Sequence, residues 1–332
     1  MNLSHDASNA SSEEFQGWRD FRKLLKTFNN HPMKSSIYSC FFLLAFHAMT
    51  YAQEGRKEPT KYLGEVQPGL TARLFAPGLV SMDNRYEFGS TFSPDGKEFY
   101  YATEIDNKPE ILVIRLVNNS WTKPEKLMTH EKYGYNDPFL SPDGKRLFFI
   151  SDRALDGKGD KKDIDIWYIE RTKSGWSEPI NAGKEINTDK NEYYISFTNS
   201  GTIYFASNGG TTAENDKDFD IRSAEFIKGK FQPSKKLGTV INTKNYEGDV
   251  YISPDESYII FCSERPNNKG KGDLYISFKD RNGEWLPSRH MESISTEAYE
   301  FCPFVTNDQK FLFFTRSGEI YWVSAEIIEG YR

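Results

Sequence analysis

Short polar turns alternate with aromatic and β-branched runs through most of this chain, and the alternation is periodic. The turns are Ser93-Pro94-Asp95-Gly96-Lys97, Ser141-Pro142-Asp143-Gly144-Lys145, Thr198-Asn199-Ser200-Gly201-Thr202, Ser253-Pro254-Asp255-Glu256-Ser257 and Thr306-Asn307-Asp308-Gln309-Lys310. Each is followed at once by an apolar run, which predicts a tight hairpin entering a strand. The third residues of successive turns are 48, 57, 55 and 53 positions apart. That is the period of a four-stranded propeller blade, longer than a helical-solenoid repeat.

The second repeat shows the unit. Phe139-Leu140 precedes the turn and Arg146-Leu147-Phe148-Phe149-Ile150-Ser151 follows it. Next come a polar loop, Asp165-Ile166-Trp167-Tyr168-Ile169-Glu170, Lys173-Ser174-Gly175-Trp176, and a last segment Glu178-Pro179-Ile180-Asn181. These predict four antiparallel strands, with proline on the outermost, where a missing ladder donor faces solvent. An acid opens the third strand of every repeat (Glu110, Asp165, Asp220, Asp273, Glu319), placed to accept backbone N–H bonds from the preceding loop and fix the hairpin. An aromatic opens the fourth (Trp121, Trp176, Phe231, Trp285, Tyr331) and is expected in blade-to-blade packing.

The last repeat stops at Gly330-Tyr331-Arg332, short of a fourth strand. The segment after Asp308 together with Thr71 to Asp95 spans 49 positions, one further interval. The expected fold is therefore all-β: a five-bladed β-propeller of four-stranded antiparallel blades, closed by pairing residues of about 71–82 with the C-terminal blade. Such pairing removes an open sheet edge.

Ser-Pro-Asp-Gly-Lys before an aromatic strand, Ser-x-Arg, Asp-Ile-Trp/Tyr and Gly-x-Trp together resemble the WD40-like propeller repeat of TolB and its relatives in the bacterial envelope. The resemblance covers residues 71–332; it is strong in the first, second and fourth turns and degraded in the third and fifth. It implies a periplasmic or envelope-associated propeller that works through contacts with an envelope protein or peptide. The chain departs from TolB in having five countable blades in place of six and in lacking its N-terminal α/β domain, so TolB's own partners do not carry over.

Composition narrows the partners. Aromatic residues make up 15% of the chain, which suits packed sheet faces. A net charge of −6 without a basic stripe in the repeats argues against nucleic acid. At the N-terminus, Lys34, the apolar run Ile37 to Ala48 and the small residues Thr50 and Ala52 read as a signal peptide over 33–52, cleaved after Ala52. Its apolar core is too short to span a bilayer. Residues 1–32 read as an upstream extension absent from the mature protein, 53–70 as a linker and 71–332 as one propeller. The segment beyond Ala52 holds 37 Lys/Arg against 44 Asp/Glu, and no transmembrane segment is expected in it. Its cysteines, Cys262 and Cys302, fall in strands of consecutive repeats and read as buried free thiols.

The Ser-Pro-Asp-Gly turns are short and uniform, so their face is expected to be scaffold. Irregular loops at 152–163, 208–218 and 264–272 lie on the opposite face, where functional surfaces concentrate. Eight residues before each turn's third residue stand Glu87, Tyr135, Glu192, Glu247 and Glu300, at the start of the innermost strand; Asp137 and Asp249 lie two residues further on. Arg153, Arg265 and Arg316 open the loops. These residues form a polar mouth that either binds a polar ligand, a cation or a peptide, or holds itself together by inter-blade ion pairs.

Enzymatic readings are narrower. His130 and His290, in different repeats, do not supply a zinc site or a serine triad, and no phosphate loop or dinucleotide fingerprint is present. Carboxylate chemistry remains: Glu192, Glu247, Glu300, Asp137 and Asp249 are the candidates for a glycoside hydrolase with acids at the axis, a possible glycan partner following from it. No cofactor is expected, the one cation candidate being Ca²⁺ at the Asp156 to Asp165 loop. The leading expectation is a non-catalytic exported scaffold that binds protein or ligand.

Overall fold

The computed structural model describes residues 61–209 and 218–332. The expected extension, the signal peptide with its cleavage point, and residues 53–60 and 210–217 lie outside the described residues. Five antiparallel sheets are arranged as propeller blades. The innermost strands are Glu87–Phe92, Asn136–Leu140, Glu192–Phe197, Glu247–Ile252 and Glu300–Val305. Second strands run Glu98–Ile105, Arg146–Ser151, Ile203–Ser207, Tyr258–Ser263 and Phe311–Arg316, and third strands Lys108–Val117, Asp165–Thr172, Asp220–Ala224, Asp273–Phe278 and Glu319–Ser324. Each outer strand is two residues long: Glu125–Lys126, Ile180–Asn181, Lys235–Lys236, Arg289–His290 and, for the last blade, Arg73–Leu74.

That last strand closes the ring. Arg73 pairs with Trp322 and Leu74 with Tyr321, and the Phe75 amide donates to the Ile320 carbonyl at 2.8 Å. Upstream, Tyr62 is buried among Phe92, Phe311 and Trp322, and its hydroxyl donates to Asp308 at 2.6 Å. The third strand of blade 5 passes into a 3₁₀ segment, Ala325–Tyr331. Tyr331, aligned in sequence with the aromatic that opens the fourth strand elsewhere, therefore belongs to no strand, and its hydroxyl bonds Ser293. Trp121, Trp176 and Phe231 likewise sit on small hairpins that extend the third strand. Pro179 lies just before the outer strand rather than on it.

One hydrogen bond recurs at every blade junction. The amide at or just before the start of each inner strand donates to the carbonyl just before the third-strand acid of the preceding blade: Glu87 to Gly318, Tyr135 to Pro109, Glu192 to Ile164, Glu247 to Phe219 and Glu300 to Gly272, at 2.7 to 3.1 Å. One sequence-periodic position and the residue just before the other are thus the two ends of one bond. Between the blades the sheet faces bury aromatic and branched side chains, among them Phe75, Phe99, Phe148, Phe205 and Phe261, and this apolar burial is the main source of stability.

The polar turns are built by their own side chains. Asp143 accepts from the Ser141 hydroxyl at 2.7 Å and the Lys145 amide at 3.0 Å, while the Ser141 oxygen accepts the Arg146 amide at 3.0 Å. These local bonds replace ladder bonds at the reversal, which is why Ser and Asp recur there.

Candidate functional site

The glutamates that open the inner strands are buried at 0% exposure and turned into their own blades. Glu300 accepts from the Thr296 hydroxyl at 2.5 Å and from Arg316 at 2.8 Å; Glu247 accepts from Thr243 through both amide and hydroxyl at 2.7 Å and from Arg265 at 3.4 Å. Glu192 takes the Thr188 hydroxyl at 2.8 Å and the Ser207 hydroxyl at 2.7 Å. Glu87 pairs with Arg85, two residues upstream, a partner that the loop-opening arginines did not suggest. The expected ring is therefore a set of internal braces facing the chain rather than solvent. Glu192 has no arginine beside it among the described residues, and burial pushes its carboxyl up to about 7.

Blade 2 departs from this scheme. Tyr135 stands where the glutamate would, is 2% exposed, and meets Arg153 Nη1 at 3.4 Å. Arg153 stacks over the rings of Tyr133 and Trp167.

Two residues beyond each ring position the inner strand bulges. Gly89, Asp137, Tyr194, Asp249 and Cys302 all take left-handed φ values of 47 to 52°, and the strand pairing slips one residue at each. The bulge turns these five residues to the axis. Cys302 Sγ lies 3.8 Å from Asp137 and 3.7 Å from Asp249, and the Tyr194 hydroxyl donates to the Pro303 carbonyl at 2.9 Å. A Cβ on Gly89 would stand 2.5 Å from the Asp137 carboxylate, so this member of the set has to be glycine. Burial, and then the charge of Asp249, push Asp137 up to about 8. Burial pushes Asp249 up to about 6 against the bonds from Tyr246 and Cys302.

Of the five acids expected to serve hydrolysis, the axis brings together Asp137 and Asp249, while Glu192, Glu247 and Glu300 stay in their separate blades. The sequence pattern pointed to the two aspartates and missed Gly89, Tyr194 and Cys302, which stand at the same two-residue offset from a ring glutamate. Cys302 and Cys262 are buried free thiols.

On the turn side of this layer the axis is filled by rings. Phe139 of blade 2 meets Phe304 of blade 5 at 5.8 Å, and Phe197 and Tyr251 pack beside them. They form the floor of a funnel of about 580 Å³ that opens among the Ser-Pro-Asp-Gly turns. Its rim is polar, with Asn199, Asp255, Asn307, Gln309 and, from the C-terminal segment, Glu329 and Arg332. This cavity lies on the face that the uniform turns suggested was scaffold. Turn regularity describes the backbone, whereas the funnel is shaped by inner-strand side chains of unequal size. Asp137 and Asp249 do not border it.

Four of the third-strand acids, Glu110, Asp165, Asp220 and Asp273, are buried, but their partners differ from blade to blade. Asp273 accepts the Lys269 amide at 2.7 Å as expected and also meets His290, whereas Asp165, Asp220 and Glu110 pair with lysines 162, 236 and 108. In the loop considered for Ca²⁺, Asp156 accepts the Lys158 and Gly159 amides, Asp160 pairs with Lys132 and Asp163 with Lys162. Among the described residues no cluster of three or more His, Cys, Asp or Glu side chains has metal-site geometry.

No protein-family profile and no curated protein matches the chain. Among solved structures it is similar to TolB from Acinetobacter baumannii, with 16% identity and a TM-score of 0.46 over 72% of this chain and 54% of that one, so the chain spans about half of that protein. It is similar to a TolB from Agrobacterium tumefaciens described as putative, at 18% identity and a TM-score of 0.46, covering 70% of each chain. It is also similar to a gluconolactonase from Xanthomonas campestris, at 11% identity and a TM-score of 0.45, covering 80% of this chain and 97% of that one. The chain is thus a five-bladed propeller whose likeness to TolB structures, as to the lactonase, is one of fold.

Proposed function

We propose that this protein is an exported, non-catalytic binding propeller and that its ligand enters the funnel on the turn face. The observation that carries this reading is the funnel itself: a blind, ring-floored cavity with amides and charges at its rim suits an apolar or aromatic group whose surroundings are polar. Asp137 and Asp249, the two acids that converge at the axis, are buried at 6% and 8% exposure and do not line it. Export is supported by the apolar stretch of residues 37–48 and the small residues before Gln53. Among the described residues no helix is long and apolar enough to cross a membrane. An envelope protein or peptide is the partner class favoured by the repeat resemblance.

The test is site-specific photocrosslinking in the intact cell envelope, with the probe at Asn199 or Asn307 on the funnel rim and, separately, at Glu264 on the opposite face. Adducts from the rim positions that disappear in Phe304→Arg support the reading. Adducts confined to Glu264, or rim adducts indifferent to Phe304→Arg, overturn it. Turnover of a glycan substrate abolished by Asp137→Asn would replace it with the hydrolase alternative.

A further inference from the structure

We propose that blade 2 carries a second binding site, on the loop face and separate from the funnel, in which Arg153 receives a carboxylate from a ligand. The chain supplies its own standard of comparison. Arg85, Arg265 and Arg316 each pair with a ring glutamate, and each also donates to a backbone carbonyl, that of Val80, Ile241 and Ile294 respectively. Arg265 and Arg316 stack on third-strand rings, Tyr275 and Tyr321, as Arg153 stacks on Trp167. Arg153 repeats the position of Arg265, two residues beyond the second strand, and the stacking of both, but lacks the carboxylate, because the ring position of blade 2 is Tyr135. Among the described residues its guanidinium has one side-chain hydrogen bond, to the Tyr135 hydroxyl at 3.4 Å.

A donor beside it is without an acceptor. The indole Nε1 of Trp167 is buried with no hydrogen-bond partner, and its ring lies under the guanidinium, 5.8 Å from Cζ to ring centre. A buried donor without an acceptor costs free energy that an incoming oxygen recovers.

The surroundings hold Arg153 in place and leave it as the uncommitted cation. Gly157, at φ +69°, passes so close that a Cβ there would stand 2.3 Å from Nη2. Lys108 is engaged by Glu110 at 2.9 Å and Lys132 by Asp160 at 2.7 Å. Two acids of its own loop are engaged as well: Asp152 with Lys161 at 2.7 Å and Asp156 with the Lys158 and Gly159 amides. His130 stacks on Tyr133 at 4.4 Å, and burial followed by the charges of Arg153 and Lys108 lowers its pKa, which disfavours a second positive charge beside the guanidinium. A planar guanidinium fork matches the two oxygens of a carboxylate, and the sister blades show this pairing with the chain's own glutamates.

The experiment follows the indole N–H resonance of Trp167 in the full-length chain, assigned by its loss in Trp167→Phe, during titration with succinate, with an Asp-rich peptide, and with sodium chloride at matched ionic strength. The expected result is a saturable shift with the carboxylates and none with chloride, weakened at least tenfold in Arg153→Gln. Tyr135→Glu, which supplies the missing carboxylate internally, is expected to abolish the response and raise the melting temperature. Tighter binding of the peptide than of succinate identifies a polypeptide ligand; equal binding identifies a small carboxylate. A resonance that does not move, moves equally with chloride, or responds undiminished in Arg153→Gln overturns the proposal. If Tyr135→Glu does not fold, the Arg153→Gln comparison decides alone.

Discussion

The hydroxyl of Tyr194 in blade 3 reaches across the propeller axis to the carbonyl of Pro303 in blade 5, at 2.9 Å. These blades are not neighbours in the ring, so the bond acts as a spoke between elements that the belt of junction hydrogen bonds links only through intervening blades. Tyr194→Phe leaves that buried carbonyl unpaired and is expected to cost about 1–3 kcal/mol in urea unfolding. Unchanged stability would show that the carbonyl finds another donor.

The proton held by Asp137 makes stability depend on pH. Its folded pKa is raised to about 8, so the contribution is fully present below the unfolded carboxyl value near 4 and is lost as pH rises through 8. The difference in stability between wild type and Asp137→Asn should therefore change between pH 4 and 8, by at most about 1.4 kcal/mol per pH unit. Asp249→Asn should draw the upper end of that window downward, since the charge of Asp249 is the second cause of the shift. A difference that is flat in pH refutes both statements.

Glu300→Ala removes the carboxylate from a guanidinium that is largely out of solvent, Arg316, at 17% side-chain exposure. The cost expected from chemical unfolding is about 3–5 kcal/mol. Adding Arg316→Met should recover much of it, because the stranded charge goes with the arginine. No recovery in the double variant would place the loss in the Thr296 bonds instead.

Tyr62→Ala should loosen the clasp of the ring. The substitution takes a buried ring from Phe92, Phe311 and Trp322 and a hydrogen bond from Asp308, for an expected loss of about 3–5 kcal/mol. Faster amide exchange should appear first at Phe75, which bonds Ile320 beside the closing strand. Loss of protection spread evenly over all five blades would count against a local clasp.

Blade number, strand order and closure were legible because they are periodic, and period survives in a single sequence. The ring glutamates were legible as a set for the same reason. Their role was not, since Glu247 facing solvent and Glu247 facing Thr243 have the same spacing. Asp137 and Asp249 stood out as charges at the axis. Tyr194, Cys302 and Gly89 did not, because an aromatic, a thiol and a glycine share no pattern until the bulge shows that they share a backbone conformation. Tyr62 fell in what reads as a linker: one buried ring in a polar stretch carries no periodic signal. The funnel was hidden by the regularity of the turns around it, since its volume depends on which inner-strand side chains are large, as at Phe139 and Phe304.

The filled axis has a further consequence. With rings at one level, the Asp137, Asp249 and Cys302 contacts at the next, and the Tyr194 spoke beside them, the protein is built as a solid wheel rather than a pipe. Ligands at the two proposed sites would therefore be kept apart by the filled axis.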